Sequence, residues 1–167
     1  MTAEPTDDLA ARLAASLRLE PHPEGGRYRQ LHRSETTVAV EGRGVRRSAV
    51  TAILFLLARG EASRWHRVLS DEVWLFHEGD PLELLVVDAE LSGVTRHLLG
   101  RASDGLAPLA VVPANAWQAA RPLGGHALVS CTVGPMAKPP AMFSTTSTLP
   151  TAAMQACTAW ASVRSTV

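Results

Sequence analysis

His66 and Glu72 stand with five residues between them in GEASRWHRVLSDEVWLFHEG, Gly60 to Gly79, on either side of a short turn between two apolar runs. An imidazole with an ordinary pKa near 6.5 can accept a proton at neutral pH or ligate a metal. Glu72 shares a strand face with Trp74 and Phe76 by period-two alternation. Desolvation among aromatics disfavours a carboxylate unless a cation or donor compensates it, so Glu72 has the setting of a general acid, a metal ligand or a paired structural acid. The bland readings are a buried His66 tied to Glu72 or to a backbone carbonyl, and a Glu72 paired with an arginine. Asp71 reads as a turn residue that caps loop backbone.

A second cluster is His22-Pro23-Glu24-Gly25-Gly26-Arg27-Tyr28. Gly25 and Gly26 permit positive φ and close backbone approach to a ligand, while Glu24, Arg27 and Tyr28 supply polar groups for a pocket mouth. The alternative is a plain helix-to-strand turn. Tyr28 is the sole tyrosine, hence the one phenolic acid in the chain. Trp74 and Phe76 are candidate pocket walls; Trp117 and Trp65 read as packing residues. His77 lies an odd number of positions from Glu72, so alternation points it away, and His126 begins a late strand. Cys131, between apolar strand residues, reads as an inert buried thiol. Arginines 27, 29, 33, 43, 46 and 47 concentrate positive charge in the first third, and any that line a pocket favour an anionic ligand.

These residues need strands to position them, and strands dominate the pattern. Asp7 and Asp8 precede Leu9, Leu13 and Leu17, which predicts a capped amphipathic helix ending before Pro21. From residue 27 the pattern is hairpin grammar: Thr36 to Val40, a turn at Gly42-Arg43-Gly44, Val45 to Leu57, Val73 to Phe76, Leu82 to Val87, Val94 to Leu99, Leu109 to Val112, Trp117 to Ala120 and Ala127 to Val133. Strands at that spacing without intervening helices predict an all-β sandwich or jelly roll. Residues 1–143 read as one domain. Residues 144–167, rich in Ala, Ser and Thr, read as a C-terminal tail with either a short helix from Thr151 to Val163 or no order.

The charge balance narrows the function classes. Sixteen basic and sixteen acidic side chains cancel, so nothing marks a nucleic-acid or membrane-surface partner, and a small molecule is the expected one. Cys131 and Cys157 define no disulfide framework, and the start MTAEPTDDLA lacks the basic-then-apolar order of a secretory signal. A reduced, cytoplasmic protein is the expectation.

Gly60, His66, Glu72 and Gly79 are similar in type and spacing to the first motif of the cupin superfamily, except that Val68 stands where that motif has a second histidine. In the second motif Gly105, Pro113 and Asn115 fall at matching places, and Gln118 stands where the last histidine belongs. More closely, the chain resembles the cupin-5 family, also called DUF985. The resemblance rests on LEPHPEGGRYRQLHRS, the AILFLL run, SRWHRVLSDEVWLFHEGDPLELL, VVPANAWQAA and LVSCTVGP, and covers about residues 17 to 135. After Gly134-Pro135 the sequence MAKPPAMFSTTS departs from the family's usual pattern.

The resemblance implies a cupin-type double-stranded β-helix, or jelly-roll barrel, with the N-terminal helix outside, and a homodimer. It implies an enzyme of isomerase or epimerase type that binds a small polar or anionic metabolite and abstracts a proton beside a carbonyl. His66 would be the base, Glu72 its orienting partner or an acid, and Tyr28 a second acid, as in the related dTDP-sugar epimerases. Glu24, Gly25, Gly26, Arg27, Trp74, Phe76 and Gln118 would contact the ligand. That reaction needs no cofactor. One alternative makes His66, Glu72 and Gln118 a depleted ligand set for a divalent metal in dioxygenase or lyase chemistry, although first-row metals generally take more imidazole or thiolate donors. Another is a binding module without turnover.

Overall fold

Alternation along one strand shows how the two layers form. In Thr51–Ala58, Ile53, Phe55 and Leu57 face one way into the main core, while Leu54 and Leu56 face the other way, under a helix. In a computed structural model, residues 5–40, 44–90, 92–135 and 141–142 are described. They form helix α1 (Pro5–Ser16) and strands β1 (Glu20–Pro21), β2 (Arg27–Arg33), β3 (Thr37–Val40), β4 (Val45–Ser48), β5 (Thr51–Ala58), β6 (Ser63–Arg67), β7 (Glu72–Gly79), β8 (Leu82–Val87), β9 (Val94–Leu99), β10 (Leu109–Val112), β11 (Trp117–Pro122), β12 (His126–Val133) and β13 (Ala141–Met142).

A six-stranded sheet in the order β1-β2-β5-β12-β7-β10 faces a five-stranded sheet in the order β13-β6-β11-β8-β9, and β3 and β4 form a separate hairpin. All named strand pairs are antiparallel. Phe55, Trp74 and Val129 of the larger sheet and Leu82, Leu84 and Val86 of the smaller meet in one core. The all-β jelly-roll expectation holds, with the helix outside. Ala10, Leu13, Ala14 and Leu17 form the helix face that packs on the sheet; Leu9, expected on it, is exposed. The helix starts at Pro5, so Asp7 and Asp8 fall within its first turn rather than ahead of it. It closes through a left-handed Arg18 (φ 54) and a bond from Leu19 N–H to the Ala14 carbonyl, the Schellman pattern.

Val45 to Leu57 is not one strand. Ala49 N–H donates to the Thr36 carbonyl and Ser34 N–H to the Val50 carbonyl, which turns the β3–β4 hairpin away from β5. Residues 41–43, with the expected Gly42-Arg43 turn, and the tail 144–167, with its expected helix, lie outside the described residues. Among the described residues no helix is long and apolar enough to cross a membrane.

Register across β2, β5, β12 and β7 sets three inward rows: Arg33, Thr51, Val133, Glu72; then Gln30, Ile53, Cys131, Trp74; then Tyr28, Phe55, Val129, Phe76. Gln30 and Arg33 are three positions apart yet occupy neighbouring rows, because a register shift beside Leu31 resets the alternation. A second shift between Gln118 and Ala120 does the same for β6, pairing His66 with Gln118 and Ser63 with Ala120.

The chain from His22 to Gly26 crosses to β6, where Arg64 N–H donates to the Glu24 carbonyl at 2.7 Å. Gly25 (φ 104) lies so close that a Cβ would collide with the Ala62 carbonyl oxygen. Gly25→Ala is therefore expected to cost about 2–4 kcal/mol, combining left-handed strain with overpacking, read as a lower denaturant midpoint; an unchanged midpoint would show that this crossing is not tight.

Candidate functional site

Between the two sheets lies a cavity of about 390 Å³. Ile53, Phe55, Val68, Trp74 and Val133 form its apolar walls, and Glu24, His66 and Glu72 are its buried ionisable groups. Gln30, Arg33, Arg47, Ser48 and Thr51 complete its polar border. Val68 thus contributes hydrocarbon at the place of the motif's second histidine.

His66 is 4 % exposed and both its nitrogens are committed. Nδ1–H donates to the Arg64 carbonyl at 2.8 Å, which leaves Nε2 of a neutral ring as a lone pair, 3.3 Å from Glu24 Oε2. Burial lowers the His66 pKa to about 4, against a smaller opposing contribution from the Arg64 carbonyl. Glu24 moves the other way: burial first, then the nearby Glu72 carboxylate, raise it to about 8, although Arg64 pulls it down. At neutral pH the contact is therefore a protonated Glu24 donating to a neutral His66, rather than an ion pair.

Glu72 is held from the opposite sheet. Trp74 Nε1–H donates to Gln118 Oε1 at 2.9 Å, and this fixes the amide so that Gln118 Nε2–H donates to Glu72 Oε2. The Cys131 thiol is also hydrogen-bonded to Glu72. Burial raises Glu72 to about 7 despite both of these contacts. The loop before Glu72 is tied to the β10–β11 turn: Asp71 Oδ1 accepts from Ala114 N–H, and the Val68 carbonyl accepts from Asn115 N–H. Asp71 caps loop backbone as expected, but of a loop distant in sequence.

The structure gathers His66, Glu72, Glu24, Trp74 and Gln118 into one site, with all but Gln118 among the cavity lining. Other expected members stand elsewhere. Tyr28 and Phe76 belong to the third row, of which Phe55 lines the cavity, but they pack against the core instead of lining it. Tyr28 meets His22 edge-on with ring centroids 4.6 Å apart. Gly25 and Gly26 allow close approach, but to the chain's own Ala62 and Leu56 carbonyls. Arg27 pairs with Glu61 at 3.3 Å. Of the arginine cluster, Arg33 and Arg47 line the cavity. His77 is exposed against Ser130, as alternation required, and His126 does not line the cavity.

Sequence reasoning missed Ser63 and the role of His22, whose Nδ1 accepts from Glu24 N–H at 3.2 Å. Cys131 is buried as expected, its pKa driven upward by burial, yet it faces the site and touches Glu72. The metal set of His66, Glu72 and Gln118 does not fit: the amide oxygen is taken by Trp74, and Nδ1 and Nε2 of His66 face a carbonyl and a carboxyl. Among the described residues no three or more His, Cys, Asp or Glu are grouped to hold a metal ion.

Residues 11–136 match the Cupin_5 family model, described as Cupin superfamily (DUF985). A hypothetical protein from Leishmania major is 36% identical, covering 75% of this chain and 81% of that one, with a TM-score of 0.70. A Shewanella oneidensis protein is 34% identical over 81% of this chain and 84% of its own, with a TM-score of 0.71. A cupin-2 domain from Rhodospirillum rubrum shares 14% identity over 86% of this chain and 80% of its own at a TM-score of 0.54, a likeness of fold. No curated protein matches the chain.

The site carries a pH signature in stability. A carboxyl that holds its proton more tightly when folded stabilises the fold while protonated. That contribution fades as pH rises from the ordinary 4.5 through the folded values of about 7 for Glu72 and about 8 for Glu24. His66, lowered from 6.5 to about 4, acts oppositely, losing stability on acidification through that range. Above pH 6.5 the carboxyls act alone among these three groups. The melting temperature is expected to fall between pH 6.5 and pH 8 in the native chain and to stay nearly flat in the Glu24→Gln/Glu72→Gln variant, as read by calorimetry; equal slopes would contradict the assignment.

Proposed function

This chain belongs to the Cupin_5 family of the cupin superfamily, and on that footing we propose that it is an isomerase or epimerase acting on a small polar or anionic metabolite by proton abstraction beside a carbonyl. The observation that carries the reading is the pair of carboxyls poised near neutrality, Glu72 at about 7 and Glu24 at about 8, in one cavity with a neutral imidazole. General acid–base catalysis works best when the groups titrate near the working pH. Two titratable groups whose environments set different protonation states are natural candidates for base and acid.

The roles differ from those expected of the motif. Glu72, aimed by Gln118 and ionised above about pH 7, takes the proton from carbon. The C–H electron pair moves onto the carbonyl oxygen as an enolate. Glu24, protonated below about pH 8, gives that oxygen its proton, and His66 Nε2 steadies the carboxyl at 3.3 Å. A proton then returns to the neighbouring carbon, or to the other face of the same carbon, while the hydroxyl where the carbonyl re-forms gives its proton back to Glu24 and Glu72 loses the one it took, so both carboxyls end as they began. His66 thus positions the acid instead of serving as the base, and Tyr28 has no part.

Solvent deuterium exchange into a panel of keto acids and ketoses, followed by NMR, tests this. Exchange is expected to follow a bell-shaped pH profile with limbs near pH 7 and pH 8. Glu72→Gln should lower it by about 10²–10⁴-fold, the usual share of a positioned base. His77→Ala, on the outer face, should leave it unchanged. Absence of exchange across the panel would instead favour a binding module.

A further inference from the structure

The cavity has a one-signed border. Arg33 and Arg47 both line it, and Arg33 Nε–H donates to Ser48 Oγ at 3.2 Å, which draws β2 and the β3–β4 hairpin together at that side. The carboxyls among the lining residues are Glu24 and Glu72, whose raised pKa values leave little negative charge there below neutral pH. Guanidinium groups stay protonated throughout and fit carboxylate or phosphate oxygens with paired donors. The register places Arg33 and Glu72 at opposite ends of one row, three strand spacings apart, roughly 14 Å between backbones.

Between those ends the surface is largely hydrocarbon, from Ile53, Phe55, Val68, Trp74 and Val133, with Thr51 as the polar residue of the row itself. Such walls suit an aliphatic or aromatic body and penalise a densely hydroxylated sugar, whose hydroxyls would be buried without partners. A hydroxyl in this lining lacks a partner among the described residues. Ser63 is 1 % exposed, lines the cavity, and its Oγ makes no hydrogen bond among the described residues. A buried hydroxyl left so is an invitation to a ligand atom. It faces inward because the register shift in β6 brings Ser63 and His66 to the same side.

We infer that the substrate is an elongated anionic carbonyl compound: a carboxylate or phosphate bound at Arg33 and Arg47, an apolar body along the walls, and an oxygen that accepts from Ser63. This rests on the proposed proton-transfer reading for its carbonyl, while the anion site stands on its own residues. Calorimetric titration with benzoylbutyrate, an aryl ketone bearing a distant carboxylate, with its methyl ester and with the matching phosphonate, tests it.

The acid or the phosphonate is expected to bind at least about tenfold more tightly than the ester, and whichever binds better identifies the natural anion. Arg33→Gln/Arg47→Gln should bring acid and phosphonate down to the ester's affinity and leave the ester unchanged, which also reports that the variant is folded. Ser63→Ala should weaken acid and ester alike. Equal affinity for acid and ester, an unaltered preference in the arginine variant, or no binding of any of these probes would overturn the inference; an unchanged affinity in Ser63→Ala would overturn the Ser63 contact. Glu72→Gln should keep the preference for the acid, so a failure of proton abstraction and a failure of the anion site give different results.

Discussion

Desolvation of three ionisable groups in one cavity is the constraint on which the site depends. Glu24, His66 and Glu72 are each less than a tenth exposed, and water cannot solvate the charges they would carry. The carboxyls respond by keeping protons and the imidazole by giving its proton up. A charged pair between His66 and Glu24 would have to recover the desolvation cost of both ions, which a single 3.3 Å contact does poorly. The neutral pair avoids that cost and still leaves a proton where a reaction could use it.

Everything around the three groups serves to hold them there. The chain Trp74 to Gln118 to Glu72 runs from the larger sheet to the smaller and back, so the carboxyl's orientation depends on both layers. Glutamine suits this relay, since its amide accepts from the indole and donates to the carboxyl. Val68 fills with hydrocarbon the place of a second imidazole, and so keeps the dielectric low. The replacements of two histidines are thus mutually consistent: the same substitutions that leave a poor metal site make a good site for perturbed carboxyls.

Much of the frame was legible in the sequence because it follows from local alternation. β8, β9 and β10 have the expected bounds, and His66 and Glu72, singled out by residue type and spacing, both line the cavity. What escaped was set by irregularity and by distance along the chain. The register shifts in β2 and β6 turn Gln30 with Arg33, and Ser63 with His66, to one face, and a strict period of two cannot show that. The partnership of Glu24 with His66 requires the tight crossing at Gly25 and Gly26, whose glycines had been assigned to a ligand. Tyr28 shares the inward face of the site residues and the row of Phe55 but packs against the core and His22, a placement set by pairing partners that the sequence does not print.

The protonation states are the central claim, and side-chain NMR reads them directly. Carbon-13 titration of Glu24 and Glu72 together with nitrogen-15 spectra of His66 should show carboxyls titrating at about 8 and about 7. His66 should remain a neutral ring with its proton on Nδ1 down to about pH 4. Carboxyls titrating near the ordinary 4.5, with an imidazolium persisting above pH 6.5, would mean an ion pair in the cavity and would contradict the account.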